Sequence, residues 1–397
     1  MKKLIVSIIF VLTTNIIQAQ WESTSMPDYI ITSIATNGNT IFAGTRSNGM
    51  FISNDNGTTW SQVTNGIPNN KKVSTVAVSG NNIFAGVFGS GVFLSQDNGI
   101  TWVLKNNGIT NLNIQVIVFN GSSVFAGTYQ GGVFRSNDNG NLWTSVNNGI
   151  PTPISYQNIE SLAANGIEIF LGFDPIDGQG IYVSQNNGDT WVQSSNGLPS
   201  GFNEFPALLI NGSTIFAGST YKGLFRSLNN GANWITAQNG INNLEITSLS
   251  MSGTNIFTGT FGNGVFLSEN NGDYWMAMNY GLTCLNIWSL GINDNYLFAG
   301  CGGVFRYPLS SVGINIPYEQ TRYQIFPNPN YGSFTIKTTK EIQSIKILNN
   351  LGITILAKSK FEQCQEIPIN IENYAQGLYI LQIMSNNEIY SAKILVK

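Results

Sequence analysis

The sequence predicts an all-β protein: a seven-bladed β-propeller over residues 20–307, then a small C-terminal β-sandwich over residues 323–397. Three observations predict it. A tetrapeptide of the type Ile-Phe-Ala-Gly recurs seven times, a turn that ends in Trp recurs six times, and the period stops after Tyr307, where another strand pattern takes over.

The tetrapeptide stands at Ile41-Phe42-Ala43-Gly44, Ile83-Phe84-Ala85-Gly86, Val124-Phe125-Ala126-Gly127 and Ile169-Phe170-Leu171-Gly172. It returns at Ile215-Phe216-Ala217-Gly218, Ile256-Phe257-Thr258-Gly259 and Leu297-Phe298-Ala299-Gly300. The phenylalanines lie 41 to 46 residues apart, a period that suits a blade of four short strands. In the second unit, Val73 to Val78 alternates as an inner strand and Ile83 to Gly86 is the second strand. Gly91 to Ser95 is the third, and the outer strand begins at Trp102. The first hairpin carries Asn37-Gly38, Asn120-Gly121, Asn165-Gly166 or Asn211-Gly212, a strong two-residue turn signal whose central positions favour φ > 0.

The turn from third to fourth strand reads Ser53-Asn54-Asp55-Asn56-Gly57-Thr58-Thr59-Trp60 and recurs up to Trp102, Trp143, Trp191, Trp234 and Trp275. It resembles the Asp box, or BNR repeat, of sialidases, some endoglucanases, the sortilin luminal domain and photosystem assembly factors. An Asx side chain accepts N–H bonds inside its own turn, Gly takes a left-handed conformation, and Trp packs beneath the hairpin. Asp55, Asp97 and Asp138 keep the acid, whereas Asn186, Asn229 and Asn270 replace it. An amide oxygen accepts the same bonds, so these residues read as turn formers. A metal site or a catalytic carboxylate would not survive the exchange.

The seventh unit ends at Gly303-Val304-Phe305-Arg306-Tyr307, without a Trp turn. Trp21 to Pro27 resembles Trp60 to Pro68 shortened by two residues. An N-terminal strand that completes the last blade would close the ring and remove its edges.

Residues 308–322 read as a linker. Beyond it come Phe326-Pro327-Asn328-Pro329, Asn350-Leu351-Gly352, Gly377-Leu378-Tyr379 and the terminal Ala392 to Lys397. In this order they resemble the type A sorting domain of the type IX secretion system. The resemblance implies Sec export, recognition of residues 323–397 by the type IX machinery, and a secreted or outer-surface location. At the other end, Lys2 and Lys3 precede an apolar run from Leu4 to Leu12, and Ala19 is a small residue before Gln20. Residues 1–19 therefore read as a signal peptide. The run is short for a bilayer and no other long apolar stretch follows, so no transmembrane segment is expected.

The chain has no histidine, which excludes Ser-His-Asp and Cys-His nucleophiles and imidazole-based zinc sites. Charged residues make up 10% and the net charge is −3, which leaves no electrostatic footprint for nucleic acid. No cofactor and no metal is expected. Cys284, Cys301 and Cys364 are too few for a disulfide framework; Cys284 and Cys301 share a repeat and either pair after export or remain partly buried thiols.

The function expected is a noncatalytic propeller that binds a glycan or an extracellular protein. The loop after each second strand, on the face away from the Trp turns, presents Phe88, Tyr129, Phe173, Tyr221 and Phe261, with Arg46 in the first unit. Flat aromatic surfaces there can stack on sugar rings or peptide side chains, or else plug the channel and pack between blades. The alternative function is a polysaccharide-active glycoside hydrolase, which requires paired carboxyl groups; Glu160, Glu168, Asp174, Asp177, Glu204 and Glu245 are candidates. Arg135, Arg226 and Arg306 share one repeat position and read as a repeat feature. Asp174 and Asp177 near Gly178 invite calcium, but the ligands are few, and a solvated acidic turn fits as well.

Overall fold

The computed structural model describes residues 20–153, 158–166, 168–174, 180–200, 204–312, 323–326, 331–338, 341–349, 352–359, 361, 366–385 and 388–396. The leader at 1–19, most of the linker, Pro327 to Pro329, the loop with Asp177, Phe202 and Cys364 lie outside them.

Seven four-stranded antiparallel sheets follow one another, numbered here as blades 1 to 7. Blade 1 is Ile31–Asn37, Thr40–Thr45, Met50–Ser53 and Ser61–Gln62, in that order from the inside out. The inner strands of successive blades touch one another, and that of blade 7, Ser289–Ile292, touches that of blade 1. The ring is thus closed, and the fold is a β-propeller.

The tetrapeptide explains the packing. Blades stack face to face, so the second strand is covered on both sides and reads as a continuous apolar run; Thr40–Thr45 is buried throughout. Its glycine is there for close approach. A Cβ on Gly86 would lie 2.5 Å from Ile114 Cγ2, and one on Gly218 2.3 Å from Ile246 Cγ2, both in the next blade's inner strand. The phenylalanine also reaches the next blade: a Cβ on Gly99, Gly188 or Gly272 would lie 2.5–2.6 Å from the ring of Phe42, Phe125 or Phe216.

The first hairpins differ from expectation. Asn37 still pairs with Thr40, so the two central residues are Gly38 and Asn39, and only the glycine has positive φ, at 58°. Gly80, Gly121, Gly212 and Gly253 repeat this at 57–62°. One positive φ at the first central position is the type II′ pattern rather than I′.

Blade 7 takes its outer strand from the N-terminus. Glu22 pairs with Arg306 and Ser23 with Phe305. Trp21 is 2% exposed and donates its indole N–H to Met278 O at 2.5 Å. Trp143, Trp191, Trp234 and Trp275 donate to the preceding blade in the same way, to Lys105, Val146, Ser194 and Ala237 carbonyls. These indoles therefore bridge blades, and that of Trp60 reaches both Thr24 Oγ1 beside the outer strand of blade 7 and Gly57 O of its own turn, whereas that of Trp102 donates to Gly99 O of its own turn.

Pro308, expected to open the linker, still belongs to blade 7 and pairs with Tyr296. A short 3-10 helix follows at Leu309–Ser311. The C-terminal region forms a three-stranded sheet of Tyr323–Phe326, Ser333–Thr338 and Glu366–Asn370, and a four-stranded sheet of Thr354–Ser359, Ser344–Leu348, Gly377–Ser385 and Glu388–Val396. One core that includes Phe334, Ile336, Ile345, Ile347, Ile369 and Leu381 joins them. Among the described residues no helix is long and apolar enough to cross a membrane.

Candidate functional site

The six Trp-ended turns are held alike. Ser53 Oγ donates to Asp55 Oδ1 at 2.7 Å and accepts from Gly57 N–H at 2.8 Å, while Thr59 N–H donates to Asp55 Oδ1 at 2.8 Å. These donors, the Thr59 N–H foremost, hold the Asp55 carboxyl at about 2. Asp97 is also lowered to about 2, chiefly by the Thr101 hydroxyl, and Asp138 is lowered chiefly by the Leu142 N–H. Asn186 accepts the Thr190 N–H at 2.9 Å, and its amide donates to the Thr190 hydroxyl at 2.9 Å. Asn229 and Asn270 accept from Asn233 and Tyr274 N–H groups. In these turns the carboxylate and the amide do the same mechanical work.

The repeat-position arginines clamp neighbouring blades. Arg135 donates to Asn187 O at 2.6 Å and Asp189 Oδ1 at 2.7 Å, in the turn of blade 4. Arg226 reaches Asn271 O and Asp273 in blade 6, and Arg306 reaches Asn56 O in blade 1 and Glu22 Oε2 at 2.9 Å. All three are thus engaged at the seams between blades.

The opposite face carries the candidate rim. Buried residues end the second strand in six blades, Thr45, Val87, Thr128, Ser219, Thr260 and Cys301, and Phe173 stands buried at the matching position of blade 4. At the next position stand Arg46, Phe88, Tyr129, Asp174, Thr220, Phe261 and Gly302; Asp174 still pairs with Asn158, and Tyr129, Phe261 and Gly302 make single bridges to Asn158, Asn286 and Ile30. This register corrects one expectation. Phe173 lies a position earlier than Phe88, pairs with Ile159, stacks on Tyr182 at 5.2 Å, and is 0% exposed. It is core. Tyr221 lies a position later, on the loop, and is 49% exposed. Arg46 is exposed, whereas Phe88, Tyr129 and Phe261 are half-buried.

Four of these residues stand along one arc. Phe88 and Tyr129 meet edge to face with ring centres 6.2 Å apart, and Lys72 Nζ lies 5.6 Å from the Phe88 ring. Phe261 meets Trp288 at 5.1 Å, and the Arg46 guanidinium lies 6.0 Å from the Trp288 ring. The arc thus runs over blades 6, 7, 1, 2 and 3. Burial lowers the Lys72 pKa, as does Arg46, while Glu160 opposes both. Sequence reasoning missed Lys72 and Trp288. Aligning the inner strands would have found Trp288, because Asn286-Ile287-Trp288 matches Asn113-Ile114-Gln115. Gln115 sits at a β-bulge that recurs at Thr32, Ser74, Glu160 and Thr247, and a bulge re-aims a side chain.

Glu160 and Glu168 do not converge. Glu168 is 5% exposed, accepts from Gln185 Nε2 at 3.0 Å, and lies at the far end of the strand that begins near Glu160. Ala164 pairs with Ile169 beside it, so about four residues at roughly 3.3 Å each separate the two acids. That exceeds the span of a glycosidase pair. Glu245 has its pKa raised by burial. Among the described residues no group of three or more acids or cysteines could hold a metal ion. Cys284 and Cys301 are free thiols; Gly302 N–H donates to Cys284 Sγ at 3.5 Å.

A closed ring of repeat blades followed by a β-sandwich defines the class, and comparison with known proteins agrees. The family model for the DUF6242 beta propeller domain matches residues 31–168, and that for the secretion system C-terminal sorting domain matches residues 324–397. The sorting domain identifies a secreted or cell-surface protein and implies engagement with the type IX secretion machinery. None of the curated proteins compared with the chain matches it. Among solved structures, the chain is similar to PorZ, an essential surface component of the type IX secretion system of Porphyromonas gingivalis, at TM-score 0.55 and 14% identity. That alignment covers 94% of this chain but only 60% of PorZ. YCF48 from Cyanidioschyzon merolae gives TM-score 0.55 and 15% identity over 73% of this chain and 98% of that one. The GH74 xyloglucanase of Xanthomonas campestris gives TM-score 0.58 and 13% identity over 82% and 60%. At such identities these likenesses establish the fold alone.

Proposed function

We propose that the chain is a noncatalytic binding module, exported through Sec with loss of residues 1–19 and then through the type IX system by its C-terminal domain. Its propeller binds a glycan or an extracellular protein on the rim that carries Arg46, Phe88, Tyr129, Tyr221 and Phe261. The observation that carries this reading is the arc on which Phe88, Tyr129 and Phe261, at one repeat position of blades 2, 3 and 6, together with Trp288 of blade 7, flank Arg46 and Lys72. Partly exposed aromatic rings at one face are what recognition of sugars or peptide side chains uses. A YCF48 structure bound to a D1 peptide, at TM-score 0.57 and 14% identity, is an instance of a propeller of this shape in a complex with a peptide.

The glycosidase alternative is supported only by fold likeness to the xyloglucanase, and fold does not carry chemistry. The test is a screen of the full-length exported protein on glycan and peptide arrays, with polysaccharide hydrolysis assayed in parallel. The proposal expects a bound ligand without turnover, and loss of signal in Tyr221→Ala or Phe88→Ala. Turnover abolished by Glu160→Gln or Glu245→Gln would replace it with the enzyme reading.

A further inference from the structure

Resting on that rim, we infer that the ligand is an anionic polysaccharide whose negative group sits on Arg46 and whose ring faces lie on the aromatics to either side. Arg46 is exposed, and its backbone N–H is tied to Ile30 O at 3.0 Å. Its guanidinium stands beside Trp288. Among the described residues no carboxylate pairs with it, in contrast to Arg135, Arg226 and Arg306, each of which has its acid. Lys72 adds a second cation in the next blade, its pKa lowered by burial and by the nearby Arg46 and raised by Glu160.

The charge around the rim is uneven. Arg46 and Lys72 belong to blades 1 and 2 and Glu204 and Glu245 to blades 5 and 6, while Glu160 of blade 4 acts on Lys72 and the Asp28 carboxylate lies beside Gly302 of blade 7. A neutral sugar laid over blades 7, 1 and 2 would cover Arg46 without giving it a partner, which costs desolvation. A carboxylate or sulfate on the sugar supplies charge-assisted hydrogen bonds there. The repetition favours a polysaccharide over a peptide. Arg46, Phe88, Tyr129 and Phe261 share one repeat position in blades 1, 2, 3 and 6, and Trp288 joins them from immediately before the inner strand of blade 7. A ligand made of repeated rings, each with a negative group, meets that spacing repeatedly, whereas a peptide end offers one carboxylate.

The test is calorimetric titration of the full-length protein with oligogalacturonate, a sulfated glycosaminoglycan oligomer, a neutral xylo-oligosaccharide and an acidic peptide. Arg46→Gln is the test variant, and Lys105→Gln, on the opposite face, is the control. The inference expects oligogalacturonate or the sulfated oligomer to bind. It expects affinity to fall as salt rises and to fall roughly 10- to 100-fold in R46Q, the loss expected for a charge-assisted hydrogen bond. The control is expected to bind as wild type does. Which anionic oligomer binds identifies the negative group as carboxylate or sulfate. Equal binding of the neutral oligomer, unaffected by R46Q, overturns the anionic inference while the binding rim stands. Binding of the peptide alone overturns it in favour of a protein ligand. Binding of none of the four overturns the inference, and blank glycan and peptide arrays as well would remove the rim reading beneath it.

Discussion

Trp21→Ala tests ring closure with a single substitution. Trp21 is almost fully buried, packs against Tyr307 with ring centres 5.5 Å apart, and belongs to a core with Met278, Leu282 and Leu297. Its backbone N–H also bonds Tyr280 O at 2.8 Å, a bond that alanine retains. The substitution therefore removes the ring and leaves Met278 O without its donor, while the two-residue strand can still pair. Large-to-small changes of buried Trp cost about 3–5 kcal/mol. At roughly 2 °C per kcal/mol for a propeller of this size, W21A is expected to melt about 6–10 °C below wild type. Circular dichroism at a matched scan rate measures it, with Leu104→Ala on the exposed outer strand of blade 2 as the comparison. A W21A melting point within about 2 °C of wild type would refute the argument that this residue closes the ring, because such a shift belongs to surface substitutions.

Further predictions follow from the same contacts. Phe173→Ala is expected to lose several kcal/mol in chemical denaturation, as core truncations do, and Tyr221→Ala no more than about 0.5 kcal/mol; equal losses would contradict the register that separates them. The acidic turns predict an acid limb. Asp55, Asp97 and Asp138 ionise below an ordinary carboxylate value of about 4, so their stabilisation is present above about pH 4 and disappears as pH falls through the folded values, about 2 for Asp55 and Asp97. The triple Asp→Asn variant is expected to show a flatter fall in melting temperature between pH 4 and pH 2, and an unchanged slope would count against the turn chemistry. Truncation after Pro308 is expected to leave the chain in the periplasm, scored by cell fractionation, and normal surface delivery of the truncated chain would contradict the sorting role.

Much of the fold was legible because a repeat states its own period. Ile-Phe-Ala-Gly is apolar on both faces, which marks a strand covered from both sides, and its Gly marks the approach of the next blade. The unpaired Trp21 segment and the missing outer strand of the last unit announced each other. What the sequence hid were relations between blades. The partners of Trp143 and Arg135 lie a blade away, at separations that no local pattern encodes. The rim was half legible. Phe173 and Tyr221 look equivalent to Phe88 in a loop read by eye, yet a shift of one residue in a strand moves a side chain from loop to core. Trp288 was passed over because it precedes a short inner strand in the unit that departs most from the repeat.

The most direct test of the binding rim is hydrogen exchange of the full-length protein with and without the ligand that the array selects. The account predicts slowed exchange in residues 45–50, 87–91, 128–132, 219–223, 260–264 and 285–289, with the Trp turns from Ser53 to Trp60 and from Ser95 to Trp102 unchanged. Protection confined to those turns, the outer strands or residues 323–397 would place the ligand elsewhere and contradict it.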